Sequence, residues 1–306
     1  GLVDALDSGS SVRKNFRVQV PGSALKIVET RHGASLHTIE IMLTSTKNPL
    51  VKAIRKLHTA KGRREEQLLL LEGTHLLAEA CAVNYPLVTL CCTPDWQQSH
   101  PQLWQDATPH CQRVELVSAS VLKAMATTVQ PDGVVVTAKS SFLAPPQIPC
   151  SLGLVLETLQ DPGNLGTIIR TATAAGVDGL WLSPDSVDLE NPKVLRASAG
   201  QWFRLPISAN ANLSQVVRQS QAQGVQVVAT LPKAPLSYWE IDWRIPTLIL
   251  LGNEAAGLSS ELTVLADQAV QIPLGQDVES LNVAIAAALI VYEALRQRVG
   301  GTGNRL

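Results

Sequence analysis

The sequence predicts an α/β protein in two parts, a small α/β domain followed by a larger one built on a parallel sheet. Three observations predict it. Short apolar strand signals alternate with helical ones from about residue 67 onward, the pattern of α/β architecture. A stretch at 140–150 holding Pro145, Pro146 and Pro149 interrupts that alternation and reads as a linker, because consecutive prolines favour extended chain and stop helices. Beyond it, 152–156 is apolar throughout, as expected of a strand buried on both faces of a parallel sheet.

Taken in order, residues 1–41 show no sustained period of 2 or 3.6 and carry Ser-Gly-Ser-Ser and Pro-Gly breakers. They are expected to be a poorly packed extension ahead of a natural start at Met42, and no apolar core follows a basic start as in a signal peptide. The segment 47–64 holds Lys47, Lys52, Arg55, Lys56, Lys61, Arg63 and Arg64 with no acid among them. Leu50, Val51, Ile54 and Leu57 share one helical face, which predicts an amphipathic helix with its charges turned outward. Such a cluster suits RNA phosphates, so Lys52, Arg55, Lys56, Arg63 and Arg64 are candidate RNA contacts. Strands follow at 67–72, 87–92, 113–117 and 133–138, with helices at 73–80, where Thr74 is the expected cap, and at 118–126. Glu72 and His75 are expected to be ordinary surface.

The second part runs from the strand at 152–156 to helices at 164–175, 191–199, 213–223 and 260–266. Its remaining strands are expected at 180–182, 204–207, 225–229, 247–251 and 269–274. The domain boundaries so read are 42–140, a linker at 141–150, and 151–300. The last helix, from Val283 through Val291, is apolar on every face apart from small alanines and must be buried.

Composition bounds the function. The chain has 306 residues, long enough for two domains. It is 45% hydrophobic and 17% charged, hence globular, and its net charge of −1 gives no global basic signature. A nucleic-acid binder would have to concentrate its positive charge locally. Five cysteines with no C-x-x-C pair suggest reduced cytosolic thiols. His110-Cys111 lacks the rest of a ligand set, so no metal is expected. No run approaches the ~20 apolar residues of a membrane span.

Three stretches share one layout of apolar strand, Gly- and Asn-bearing loop, then helix start. They are Asp161-Pro-Gly-Asn-Leu-Gly-Thr-Ile-Ile-Arg170, Leu250-Leu-Gly-Asn-Glu-Ala-Ala-Gly-Leu258 and Ile272-Pro-Leu-Gly-Gln-Asp-Val-Glu-Ser-Leu-Asn-Val-Ala-Ile-Ala286. In parallel α/β sheets, ligands bind where such loops leave the strand ends. Asn164 and Ser280 could each be no more than a helix N-cap. Gly163-x-x-Gly166 does not have the dinucleotide spacing G-x-G-x-x-G, which argues against a nucleotide-dependent dehydrogenase.

In order and spacing these stretches resemble the three signature motifs of the SpoU (TrmH-like) RNA 2'-O-methyltransferases of the SPOUT superfamily, over roughly 151–298. The resemblance implies a trefoil-knotted catalytic domain, a homodimer completing the site through the final helix, S-adenosylmethionine as cofactor and a cytoplasmic enzyme acting on rRNA or tRNA. It implies catalytic roles for Asn164, Arg170, Glu254, Ser280 and Asn282. Arg170 matches the arginine proposed to act at the 2'-hydroxyl or its neighbouring phosphate. Glu254 would accept from Arg170 or a nearby loop amide, and Ser280 and Asn282 would place substrate phosphate and hold the cofactor loop. Gly252, Ile272 and Leu281 match positions whose backbone binds the cofactor, and Leu274 would line the same pocket. The run from Leu71 to Ala80 resembles, more weakly, the start of the small RNA-binding domain that precedes many such enzymes. A non-catalytic RNA-binding protein of the same fold is the rival reading; the presence of all five motif residues favours the enzyme.

Overall fold

The computed structural model describes residues 23–25, 41–140, 144–209, 211–275 and 278–300. The first sheet is made by β1 (Ser23–Leu25), β2 (Ile41–Leu43), β3 (Leu68–Glu72), β4 (Leu87–Cys92), β5 (Arg113–Val117) and β6 (Val134–Lys139). Their order is β1-β2-β5-β4-β6-β3, with β4, β5 and β2 parallel and β1, β3 and β6 antiparallel to their neighbours. Helices α1 (Pro49–Lys56), α2 (Ala60–Glu66), α3 (Thr74–Ala82), α4 (Pro94–Ser99), α5 (Pro101–Ala107) and α6 (Ala119–Met125) pack around it. Of the expected N-terminal extension, 23–25 and 41 form strand pairs; the rest lies outside the described residues.

Several expectations for this half are corrected. The basic segment is two helices rather than one, because Thr59 stops the first and caps the second, accepting from the Gly62 N–H. Val51, Ile54 and Leu57 are buried as the periodicity requires. Thr74 is not the cap of α3; its own N–H donates to Asp132 and its hydroxyl accepts from the Trp96 indole. Glu72 is buried, not surface: its carboxylate accepts from the Thr127 N–H, the Thr127 hydroxyl and the Thr128 N–H.

The second sheet is parallel throughout. It holds β7 (Leu152–Leu156), β8 (Gly179–Leu182), β9 (Ile207–Ser208), β10 (Gln226–Thr230), β11 (Leu236–Ser237), β12 (Thr247–Leu251) and β13 (Gln268–Gln271), in the order β11-β13-β10-β12-β7-β8-β9. The edge strand expected at 204–207 is only the pair Ile207–Ser208, because Arg204 turns away to Glu79. Every residue of β7 and β12 is buried, as sheets covered on both faces require. The helices are α7 (Pro162–Ala174), α8 (Pro192–Ala197), α9 (Leu213–Ala222), α10 (Ser260–Leu265) and α11 (Val283–Gly300). Helix α7 crosses α8 closely because residue 166 is glycine: a Cβ there would lie 2.4 Å from the Ala197 Cβ and 2.7 Å from the Val194 carbonyl oxygen. Helix α11 is longer than its apolar run and is not covered on all sides. Ile285, Leu289 and Tyr292, at helical spacing, stay exposed.

The halves meet through polar contacts that the sequence does not show. Arg63 of α2 is buried and donates to the Leu57 carbonyl and to Asp188. Arg196 pairs with Glu72 at 3.1 Å, Arg204 with Glu79, and the Ser140 hydroxyl donates to Glu190. No helix among the described residues is long and apolar enough to cross a membrane.

Candidate active site

In a parallel sheet the C-terminal ends of all strands lie along one edge. Here that edge presents, side by side, the loops after β13, β10, β12 and β7. The loop after β7 enters α7, the loop after β13 enters α11, and α7 and α11 pack together.

A chain of side-chain hydrogen bonds ties three loops into one site. Asn282 Nδ2 donates to Asn164 Oδ1 at 3.0 Å, and Asn164 Nδ2 donates to Glu254 Oε1 at 3.0 Å. Asn282 is anchored at its other end, because its Oδ1 accepts from the Ala284 and Ile285 N–H groups and caps α11. The cap is therefore Asn282 rather than Ser280. At α7 it is Asp161 rather than Asn164: Asp161 Oδ1 accepts from the Asn164 N–H at 2.8 Å. That backbone bond, above all, holds the Asp161 carboxyl below its ordinary value. Freed from capping, the Asn164 side chain reaches across to the two neighbouring loops.

The β12 loop is set by its backbone. A Cβ on Gly252 would meet backbone atoms of Gly257 and Leu258 at 2.2–2.3 Å, so only glycine fits. Asn253 Oδ1 accepts from the Ala255 and Ala256 N–H groups, and its Nδ2 donates to the Thr158 carbonyl at 2.8 Å. Thr158 sits at φ 54°, a left-handed position uncommon for a threonine. Asn253 thus fixes the β7 loop against the β12 loop, just below Asn164 and Glu254.

The other candidates divide. Gly252 follows β12 directly, and half-buried Ile272 and Leu274 follow β13. Leu281 lies exposed just before α11. Ser280 is exposed beside Asn282. Arg170 does not join the cluster: it is exposed on α7 and makes no hydrogen bond or ion pair with another described residue, so Glu254 takes its bond from the Asn164 amide instead. Of the basic candidates, Lys52, Arg55, Lys56 and Arg64 are exposed, and Lys56 also pairs with Glu66 at 2.8 Å. Arg63 is withdrawn as an RNA contact, because it is buried and its terminal nitrogens are turned inward to the Leu57 carbonyl and Asp188.

One residue escaped the sequence reading. Thr230, the last residue of β10, lies between the ends of β12 and β13, and its hydroxyl is buried without a hydrogen-bond partner among the described residues. A buried unpaired hydroxyl is costly, and at the ligand-binding edge of the sheet it is a candidate ligand contact. The only signal in the sequence was a polar residue closing an apolar strand.

Polar loops converging at the C-terminal edge of a parallel sheet define the class of α/β enzymes that bind their ligands there. The SpoU rRNA Methylase family matches residues 151–292, and an MRM3-like substrate binding domain matches residues 48–136. An uncharacterized tRNA/rRNA methyltransferase of Synechocystis is 48% identical over 84% of this chain and 94% of its own length. The 23S rRNA (guanosine(2553)-2'-O)-methyltransferase RlmP of Bacillus subtilis is 33% identical over 82% of this chain and 97% of its own. Among solved structures, an AdoMet-bound rRNA methyltransferase from Sinorhizobium meliloti aligns with TM-score 0.74 and 34% identity, covering 83% of this chain and 97% of that one. The SpoU methyltransferase AviRb from Streptomyces viridochromogenes with AdoMet aligns with TM-score 0.73 and 28% identity, over 83% of this chain and 100% of that one. The chain belongs to the SpoU rRNA methylase family.

The residues present fit S-adenosylmethionine. The buried Thr230 hydroxyl, the backbone where Gly252 leaves β12 and the apolar Ile272 and Leu274 offer hydrogen bonds and apolar contact at neighbouring strand ends, which suits a purine with polar edges and apolar faces.

Proposed function

We propose that this chain is an S-adenosylmethionine-dependent methyltransferase that methylates a ribose 2'-hydroxyl in ribosomal RNA. The observation that carries the reading is the Asn282–Asn164–Glu254 chain, which joins the three motif loops at the ligand-binding edge of the sheet in a member of this family.

When bound, the cofactor's sulfonium supplies an electrophilic methyl group. The backbone of Gly252, Ile272 and Leu281 would hold it, with Leu274 against the adenine and the Thr230 hydroxyl as a further partner. Asn164 is fixed from both sides, by Glu254 and Asn282, so it can present a polar group to the acceptor ribose with little freedom left to lose. Such positioning supplies several kcal/mol of a barrier. Ser280, beside Asn282, stands ready for substrate phosphate. Arg170 carries a fork of donors that suits a phosphate, and a guanidinium stays protonated, so a clamp describes it better than a base.

Two features support assembly with a second copy. Arg170 is spare within its own protomer, and α11, packed on α7, exposes Ile285, Leu289 and Tyr292. In this reading the apolar stripe buries itself in a homodimer and Arg170 completes a shared site; the deep trefoil knot belongs to the same reading. On the RNA side, Lys52, Arg55, Lys56 and Arg64 would contact backbone phosphates.

The test is methyl transfer from labelled cofactor to unmodified 23S rRNA and, in parallel, to bulk tRNA. Methylation mapped to a ribose of 23S rRNA is expected. The Arg170→Ala variant should lose at least 100-fold in turnover while binding cofactor within about twofold, by calorimetry. RNA binding without any methyl transfer would instead favour a non-catalytic RNA-binding protein.

A further inference from the structure

The residue beside the site that neither its family motifs nor its hydrogen-bond chain uses is Lys193, and the argument rests on the methyltransferase reading above. Lys193 is the second residue of α8. Its backbone is fixed: its N–H donates to the Asn191 cap at 2.9 Å, Pro192 before it is buried, and α8 is pressed against α7 where Gly166 meets Ala197. From there the side chain crosses to the first turn of α7. Its Nζ stands 3.7 Å from Asp161 Oδ2, and a Cβ on Gly163 would lie 3.9 Å from the same nitrogen. The next residue in the chain is Asn164.

The pairing with Asp161 is loose. At 3.7 Å it exceeds a hydrogen-bond distance, and the cap of α7 uses the other carboxylate oxygen, Oδ1, so Asp161 keeps that role whether or not Lys193 stays. The side chains of Lys193 and Asp161 are 58% and 50% exposed, and exposed pairs of this kind contribute little to stability. An ammonium has three donors; the nearest acceptor of Lys193 is Asp161 at 3.7 Å, where its charge helps, after the Asn164 N–H, to hold that carboxyl low. A cation on a fixed backbone thus sits at the rim of the acceptor site, beside an acid that it can leave at little cost. An acceptor ribose held at Asn164 brings its flanking phosphates to that rim.

We infer that Lys193 grips an RNA phosphate next to the acceptor ribose, exchanging Asp161 for it when RNA binds. The role is positional: it sets where the ribose lies relative to Asn164.

The experiment uses the full chain, an unmodified 23S rRNA transcript, and the variants Lys193→Ala, Lys193→Arg and Asp161→Asn. Lys193→Ala is expected to raise the KM for RNA about 5–10-fold and to lower the slope of log affinity against log salt by about 0.7–0.9, the loss of one phosphate contact. Its melting temperature and its calorimetric affinity for the cofactor should stay unchanged. Lys193→Arg should restore both RNA readouts, and Asp161→Asn, which keeps a capping side chain, should not weaken RNA binding. An unchanged KM and salt slope in Lys193→Ala overturn the inference. So does equal damage from Lys193→Ala and Asp161→Asn, which would mean that the lysine serves only to hold the aspartate. A wild-type chain that neither binds nor methylates this RNA overturns the enzyme reading itself, a result separable from the other two.

Discussion

Asn282 does two jobs with one side chain, and they can be separated. Its Oδ1 caps α11 and its Nδ2 orients Asn164. Asn282→Ala removes both and should cost about 1 kcal/mol of stability, a drop of roughly 2–4 °C in melting temperature. Asn282→Ser keeps a capping oxygen but lacks the amide Nδ2 that reaches Asn164. It should melt within about 1 °C of wild type and still lose at least 10-fold in methyl transfer. Equal activity in Asn282→Ser and wild type would show that the amide bond to Asn164 is not needed. The capping positions also mark a limit of reading residues alone. Asp161 and Asn282, not Asn164 and Ser280, cap their helices. All four are good capping types, and only the backbone conformation decides where a helix begins.

At the scale of elements, α11 is the exception to its own pattern. A helix with so apolar a surface should be covered, yet Ile285 and Tyr292 are about half exposed. They share a stripe with Leu289, the spacing of a helix-on-helix interface. If that stripe is the dimer contact, Leu289→Asp with Tyr292→Asp should convert the protein to monomer in sedimentation velocity and reduce methyl transfer together with it. A variant that stays dimeric would place the contact elsewhere. Helices α1 and α2 carry the other element-scale lesson. Their charges were visible in the sequence, but Arg63 is buried against Asp188, 125 positions away, while Lys56 stays exposed beside Glu66.

Over the whole molecule, the two halves share one apolar core, with Tyr85 against Trp202 and Phe203, and buried and half-buried charges cross the same junction. Glu72 sits at its centre, accepting three bonds from the 127–128 loop and pairing with Arg196 of the other half. Removing one partner of a buried, hydrogen-bonded charge is expensive. Glu72→Ala leaves the Thr127 and Thr128 donors unpaired, and Arg196→Ala leaves the buried Glu72 carboxylate without its counter-charge, so each should destabilise by about 2–3 kcal/mol. Denaturant titrations of the two variants check this, and a loss below about 1 kcal/mol in either would contradict it.

By itself the sequence determined the alternation of strands and helices, the fully apolar strands β7 and β12, and the three loops bearing Asn164, Glu254 and Asn282. All of these are written in local period and residue type, which are properties of neighbouring positions. Only the tertiary structure decided that Asn164 bonds Glu254 and Asn282, that Arg170 stands apart from them, that Glu72 and Arg63 are buried, and that Thr230 and Lys193 border the site. Each of those facts depends on what a distant segment brings to the same place, and burial and hydrogen-bond partnership are set by that meeting rather than by the residue that undergoes it.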